Sequence, residues 1–212
     1  MALSFGSKWS AGLMGALKKP RIWLWLWGAF GAAGLLYVII SASVSPDERA
    51  LSAIDHSRAL LTGEMEDFQY ASIPRNAPES SFEHEGRTVA LADFRGKAIL
   101  VNFWATWCAP CVKELPSLDA LQARLGDDAF EVVAIAAEPR AAETAKDFLD
   151  RHGIKNLQFY ADPTLALTTA VGADVLPVSI LYDAEGREIG RLVGEADWIS
   201  PEAERLVASA KP

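Results

Sequence analysis

Apolar positions along this chain fall into three regimes. Ile22 to Val44 is uncharged throughout, residues 46–76 are patterned weakly, and from residue 77 short apolar runs alternate with helical periodicity. In the middle regime Ala50, Leu51, Ile54, Leu60 and Leu61 predict a short amphipathic helix, and Ile73-Pro74-Arg75-Asn76-Ala77-Pro78 an extended linker. The third regime predicts a hairpin, Ser81–His84 and Thr88–Leu91 around Glu85-Gly86-Arg87, then a short turn from Ala92 to Arg95. Ala98 to Trp104 is an apolar strand long enough to be central, and Cys108 to Leu125 a helix. Phe130 to Ala136 is a strand, Ala141 to Arg151 a helix stopped by Gly153, Leu157 to Tyr160 a strand, and Thr164 to Val171 a helix stopped by Gly172. Val178–Tyr182 and Glu188–Val193 form a second hairpin, and Pro201 to Ala210 a last helix. This alternation predicts an α/β fold: a mixed sheet with helices on both faces.

Charge divides the chain at the same places. Residues 1–45 carry Lys8, Lys18, Lys19 and Arg21 and no acid, which leaves a net −12 on the remainder of a chain whose total is −8. As a helix, the 23 residues of Ile22–Val44 span about 34 Å, against roughly 30 Å of bilayer hydrocarbon. Cations before the span and Asp47 and Glu48 after it place the N-terminus in the cytoplasm and the rest outside. Trp23, Trp25 and Trp27 suit the headgroup level at the inner end. A signal peptide cleaved near Ser41-Ala42-Ser43 is the alternative; its apolar core is usually about 7–15 residues, which favours a retained anchor. The acidic remainder excludes nucleic acid as a partner class and excludes flat binding to anionic lipid.

Cys108 and Cys111 are the only cysteines. They stand at a strand-to-helix junction, where free N–H groups and the helix dipole favour a thiolate. Two thiols at this spacing can close and reopen a disulfide, a two-electron carrier. A structural zinc site needs four ligands, and His56, His84 and His152 offer no paired spacing beside the two thiols. A static disulfide closing so short a loop removes little unfolded-state entropy.

The run Val101-Asn102-Phe103-Trp104-Ala105-Thr106-Trp107-Cys108-Ala109-Pro110-Cys111, followed by Lys113-Glu114-Leu115-Pro116, resembles the thioredoxin fold. More narrowly it resembles the membrane-anchored TlpA group and its cytochrome-c-maturation relatives. Leu91–Lys97, Leu176–Leu181 and Gly194-Glu195-Ala196-Asp197-Trp198 extend the match over roughly residues 77–210. The resemblance implies a chain organised as a cytoplasmic tail (1–21), transmembrane anchor (22–44), linker (45–76) and periplasmic thioredoxin-like domain (77–212) at the inner membrane. It implies a redox-active Cys108–Cys111 disulfide, with Cys108 the exposed nucleophile and Cys111 the resolving thiol. Pro110 stiffens the helix start; by the same resemblance Pro116 kinks the helix and Trp104 and Trp107 pack around the site, although Trp104, on an apolar strand, fits a core position equally well. Pro177 corresponds to the family's cis-proline, which lets the preceding backbone pair with a bound peptide. The buried Asp of thioredoxins is replaced by Asn102, which cannot act as a base. Glu114 shares a helix face with Cys111; the spacing fits either a solvated Glu paired with a surface Lys or the acidic residue of the reductive branch.

The thiol pair and the resemblance together imply a thiol-disulfide oxidoreductase that reduces protein disulfides without cofactor or metal. The resemblance implies clients in copper-site assembly of cytochrome oxidase, namely a Sco-like copper chaperone and the oxidase copper subunit. Apocytochrome c is the alternative client. Re-reduction would need a membrane electron donor of the DsbD or CcdA type. A Cu(I)-binding module, with both thiols as soft ligands, is the competing class.

Overall fold

The computed structural model describes residues 59–212. The expected anchor at 22–44 and most of the amphipathic segment at 50–61 lie outside them, and among the described residues no helix is long and apolar enough to cross a membrane. Eight strands form one sheet: β1 (Gln69–Tyr70), β2 (Ser81–His84), β3 (Arg87–Ala90), β4 (Ala98–Trp104), β5 (Phe130–Ala136), β6 (Tyr160–Ala161), β7 (Val178–Tyr182) and β8 (Glu188–Val193). The helices are α1 (Ala109–Leu125), α2 (Ala141–Arg151), α3 (Ala166–Ala170) and α4 (Pro201–Ala210).

The spatial order is β1-β8-β7-β4-β5-β6-β2-β3. β4, β5 and β6 run parallel, and the remaining pairs are antiparallel. All seven residues of β4 are buried, as a strand covered on both faces requires. Leu100 and Trp104 join Leu115, Leu118 and Leu121 of α1 and Leu206 and Val207 of α4 in one core. Ile99, Val101 and Phe103 face the other core, with Leu167 and Phe82. The mixed sheet with two covered faces agrees with the predicted architecture.

The segment expected to be linker needs correction over its last part. Met65, in a 3₁₀ turn at Gly63–Met65, and Phe68 are buried in the first core. β1 pairs with β8 through Gln69–Arg191 and Tyr70–Gly190. A Cβ at Gly190 would collide with the Gln69 carbonyl and the Phe68 ring, so that glycine answers the close approach of β1. A two-residue strand is too short to leave a period-2 signature, which is why the pattern missed it.

Two other elements are shorter than expected. The Leu157–Tyr160 strand is reduced to Tyr160–Ala161, because the N–H groups of Lys155, Asn156 and Leu157 bond to Asp119 of α1 instead of a neighbouring strand. The Thr164–Val171 helix begins only at Ala166. Leu165 is held at φ 58°, while the buried Asp162 carboxylate accepts from the N–H groups of Ala166 and Thr168. α1 continues through Pro116 as one helix.

Candidate active site

Chain order and register bring the site together at one edge of the sheet. Val193, Val178, Phe103, Ile135 and Tyr160 are successive register partners across β8, β7, β4, β5 and β6. Just beyond this row lie the dithiol after β4, Pro177 before β7 and Glu195 after β8. The Leu176–Pro177 bond is cis, and the Pro177 carbonyl accepts from the Gly194 N–H at 2.9 Å. The predicted juxtaposition of Pro177 with the cysteines is therefore present in the topology.

Cys108 is the N-cap of α1 and is joined to Cys111 by a disulfide. The Cys111 N–H donates to Cys108 Sγ at 3.4 Å. Pro110 occupies the first turn, where its missing N–H costs nothing. No acid lies in that turn, so the dipole's positive end acts on the sulfur unopposed. Cys108 is only 5% exposed and Cys111 fully buried. The expectation of an exposed Cys108 is corrected: its sulfur turns into the helix end and is bonded to Cys111. Trp107 does not pack around the site either; it is 71% exposed, an apolar surface beside the nucleophile, whereas Trp104 is a core residue in contact with Phe148.

Glu114, one turn after Cys111, is buried at 3% exposure, which removes the solvated alternative. Asn102 Nδ2 donates to Glu114 Oε1 at 2.7 Å, and the Ala196 N–H and Trp198 Nε1 each donate to Oε2 at 3.3 Å. Loss of hydration outweighs these donors and pushes the carboxyl up to about 7. Asn102 Nδ2 also donates to Ser179 Oγ at 2.9 Å. Glu114 lines a cavity of about 360 Å³ with Glu64, Lys113, Ser117, Glu195 and Asp197; Lys113 is ion-paired with Glu195. On the other side of the dithiol loop the buried Glu138 accepts from Thr106 Oγ1 at 3.1 Å and so ties down the loop that leads into Cys108.

Spacing in the sequence points to both cysteines and to Glu114 on the Cys111 face, while Pro177 and Asn102 come from the family resemblance. Neither assigned anything to Ser179, Trp198 or Glu138. Trp198 stood inside a segment that resembles the family, so a signal existed; Ser179 and Glu138 carried none. Among the described residues no group of three or more His, Cys, Asp or Glu side chains is placed to hold a metal ion. His84 bonds the Phe159 carbonyl and His152 the Phe148 carbonyl, each at 2.8 Å.

A helix-capping disulfide between two buried cysteines, a cis-proline across the sheet edge and a buried carboxyl one turn along define a thioredoxin-like thiol-disulfide oxidoreductase. Residues 69–207 match the Redoxin family, and the chain belongs to it. It is similar to the thiol-disulfide oxidoreductase ResA of Bacillus thuringiensis strain Al Hakam, with 30% identity over 137 residues, 64% of this chain and 78% of that one. ResA of Geobacillus thermodenitrificans shares 33% over 104 residues, 49% and 58% of the two chains. Among solved structures, a thioredoxin-family thiol:disulfide interchange protein from Chlorobium tepidum aligns with TM-score 0.54 at 29% identity, covering 66% of this chain and 98% of the other. A DsbF homologue from Corynebacterium diphtheriae aligns with TM-score 0.52 at 28% identity, covering 67% and 90%.

Proposed function

We propose that this oxidoreductase works as a reductant of the TlpA and ResA type, held at the outer face of the cytoplasmic membrane by residues 22–44. The observation that carries the direction is the buried Glu114–Asn102 pair one turn from Cys111, with no cation bonded to either sulfur among the described residues. A strong oxidant owes its potential to an over-stabilised first thiolate; a buried carboxyl beside the dithiol works against that. In the reduced enzyme the Cys108 thiolate attacks a client disulfide, and one client sulfur leaves as thiolate. Cys111 then loses its proton to Glu114 and attacks Cys108 Sγ. The second client sulfur leaves, the client gains two electrons, and the enzyme is left as the Cys108–Cys111 disulfide of this structure. A membrane donor of the DsbD or CcdA type returns those electrons.

The client is an exported protein whose cysteine pair must be reduced before it takes up a metal group. The resemblance of the Trp104–Pro116 region to cytochrome-c-maturation thioredoxins makes apocytochrome c, before haem attachment, the first client to test. The Sco-like chaperone and the oxidase copper subunit share the chemistry and remain the other arm of the test. In Cys111→Ser cells the mixed disulfide cannot resolve. We expect trapped complexes in the membrane fraction, with apocytochrome c as partner. Copper-site proteins as the trapped partners would move the function to oxidase assembly. An absence of complexes, or complexes in the soluble fraction, would overturn reduction or anchoring respectively.

A further inference from the structure

Asn102 is fully buried, and its Oδ1 has no hydrogen-bond partner among the described residues. Its Nδ2, by contrast, serves two groups at once, Glu114 Oε1 and Ser179 Oγ. That asymmetry suits one protonation state only. An ionised Glu114 accepts from three N–H donors and donates to none. A protonated Glu114 carries an O–H that needs an acceptor. Its Oε2 already faces two donors, from Ala196 and Trp198, so the proton belongs on Oε1, opposite Asn102. With the amide as it stands, that O–H would meet an N–H.

Turning the Asn102 amide by 180° about its last torsion removes the conflict. Oxygen and nitrogen exchange nearly identical positions. Oδ1 then accepts from the Glu114 O–H on one side and from the Ser179 O–H on the other. A serine hydroxyl can fill either role, because it both donates and accepts. The same two contacts survive with every donor and acceptor reversed, and the position left unpartnered passes from the oxygen to the nitrogen.

We infer that Asn102 and Ser179 form a reversible relay in which the amide turns over each time Glu114 gains or loses its proton. Asn102 is thus a positioning residue that accommodates both forms of the carboxyl in one place, where an Asp at the same site would add a second buried charge. Neither relay residue titrates: Asn102 of β4 bonds the carboxyl, and Ser179 of β7 bonds Asn102. The other charged groups around it are Glu195 and Asp197 after β8, Glu64 from the 3₁₀ turn, and Lys113 of α1, paired with Glu195. The inference rests on Glu114 as the proton-holding group of the proposed reduction.

The chain has three asparagines, Asn76, Asn102 and Asn156, so selective ¹⁵N-asparagine labelling of the full-length protein in detergent resolves the side-chain amides. Asn102→Ser assigns the signal. Carboxyl ¹³C of Glu114 is titrated in parallel from pH 5 to 9, with the disulfide intact. The expected result is that both Asn102 amide protons lose their hydrogen-bonded shift and their exchange protection below the Glu114 midpoint, with the same midpoint. In Glu114→Gln the Asn102 signal should no longer respond to pH. An Asn102 amide that stays hydrogen-bonded on both sides of the midpoint overturns the relay, as does a Glu114 that does not titrate in this range. This readout needs no client, so its failure leaves the reductive function standing, and failed trapping leaves the relay standing.

Discussion

Burial deprives Glu114 of hydration that three N–H donors replace only in part, and the folded protein therefore holds its proton more tightly than the unfolded chain does. The carboxyl is raised from an ordinary 4.5 to about 7, which corresponds to roughly 3 kcal/mol. The sign comes from proton counts. Between those two values the native state binds more protons than the unfolded state, so this contribution is complete below about 4.5 and is lost as pH rises through 7. Glu114→Gln should therefore flatten the stability profile in that window and raise stability at pH 8 by about 1–2 kcal/mol, the desolvated charge being gone. Resolution of the mixed disulfide should slow by about 10²-fold, the low end for a lost acid–base group. Urea denaturation across pH and stopped-flow kinetics check the two halves; unchanged kinetics would remove Glu114 from the mechanism. The helix spacing placed Glu114 beside Cys111 but not its burial. Burial depends on Trp198 and Ala196, 84 and 82 residues away, and no local pattern encodes contacts so distant.

At the scale of elements, legibility tracked length. β4, β5 and α1 declare themselves over 7, 7 and 17 residues, and their apolar spacing fixes both type and bounds. β1 and β6 have two residues each, and tertiary bonds alone define them. β1 matters despite its size, because it carries Phe68 into the core beneath β8, against Tyr70 with ring centroids 5.3 Å apart. If the segment before residue 77 were only a spacer, Phe68→Ala would have no effect on the domain. The structure instead predicts a loss of about 3–5 kcal/mol, the range for deleting a buried aromatic. Denaturant unfolding of the oxidised protein measures it, and a loss within about 0.5 kcal/mol, typical of surface sites, would return this segment to the linker. The short α3 gives the same lesson. Asp162 ahead of Thr164 is a turn residue in sequence, but that its carboxylate is buried and caps a later turn emerges only from the fold.

For the molecule as a whole, the redox potential is set by how differently the fold supports the dithiol and the disulfide. A fold that strongly stabilises the Cys108 thiolate lowers the free energy of the reduced protein and makes the disulfide oxidising, as in DsbA, near −120 mV. Here the support for that sulfur is one N–H from Cys111 and the end of α1. Lys113, the nearest cation in sequence, is engaged with Glu195, and the Glu114 carboxyl adds negative charge as pH rises. These features suit the modestly supported thiolate of the thioredoxin kind rather than the strongly stabilised thiolate of the DsbA kind. The potential should accordingly lie closer to about −270 mV than to −120 mV, a separation of roughly 7 kcal/mol for two electrons. By the same cycle, the oxidised protein should melt above the reduced one, each kcal/mol amounting to roughly 2–4 °C for a domain of this size. Equilibration with glutathione and paired thermal melts test this directly. A potential above about −180 mV, the value of the disulfide isomerase, or a reduced form that melts higher, would make the protein a source of disulfides and remove the chemical basis for delivering reduced cysteines to haem or copper.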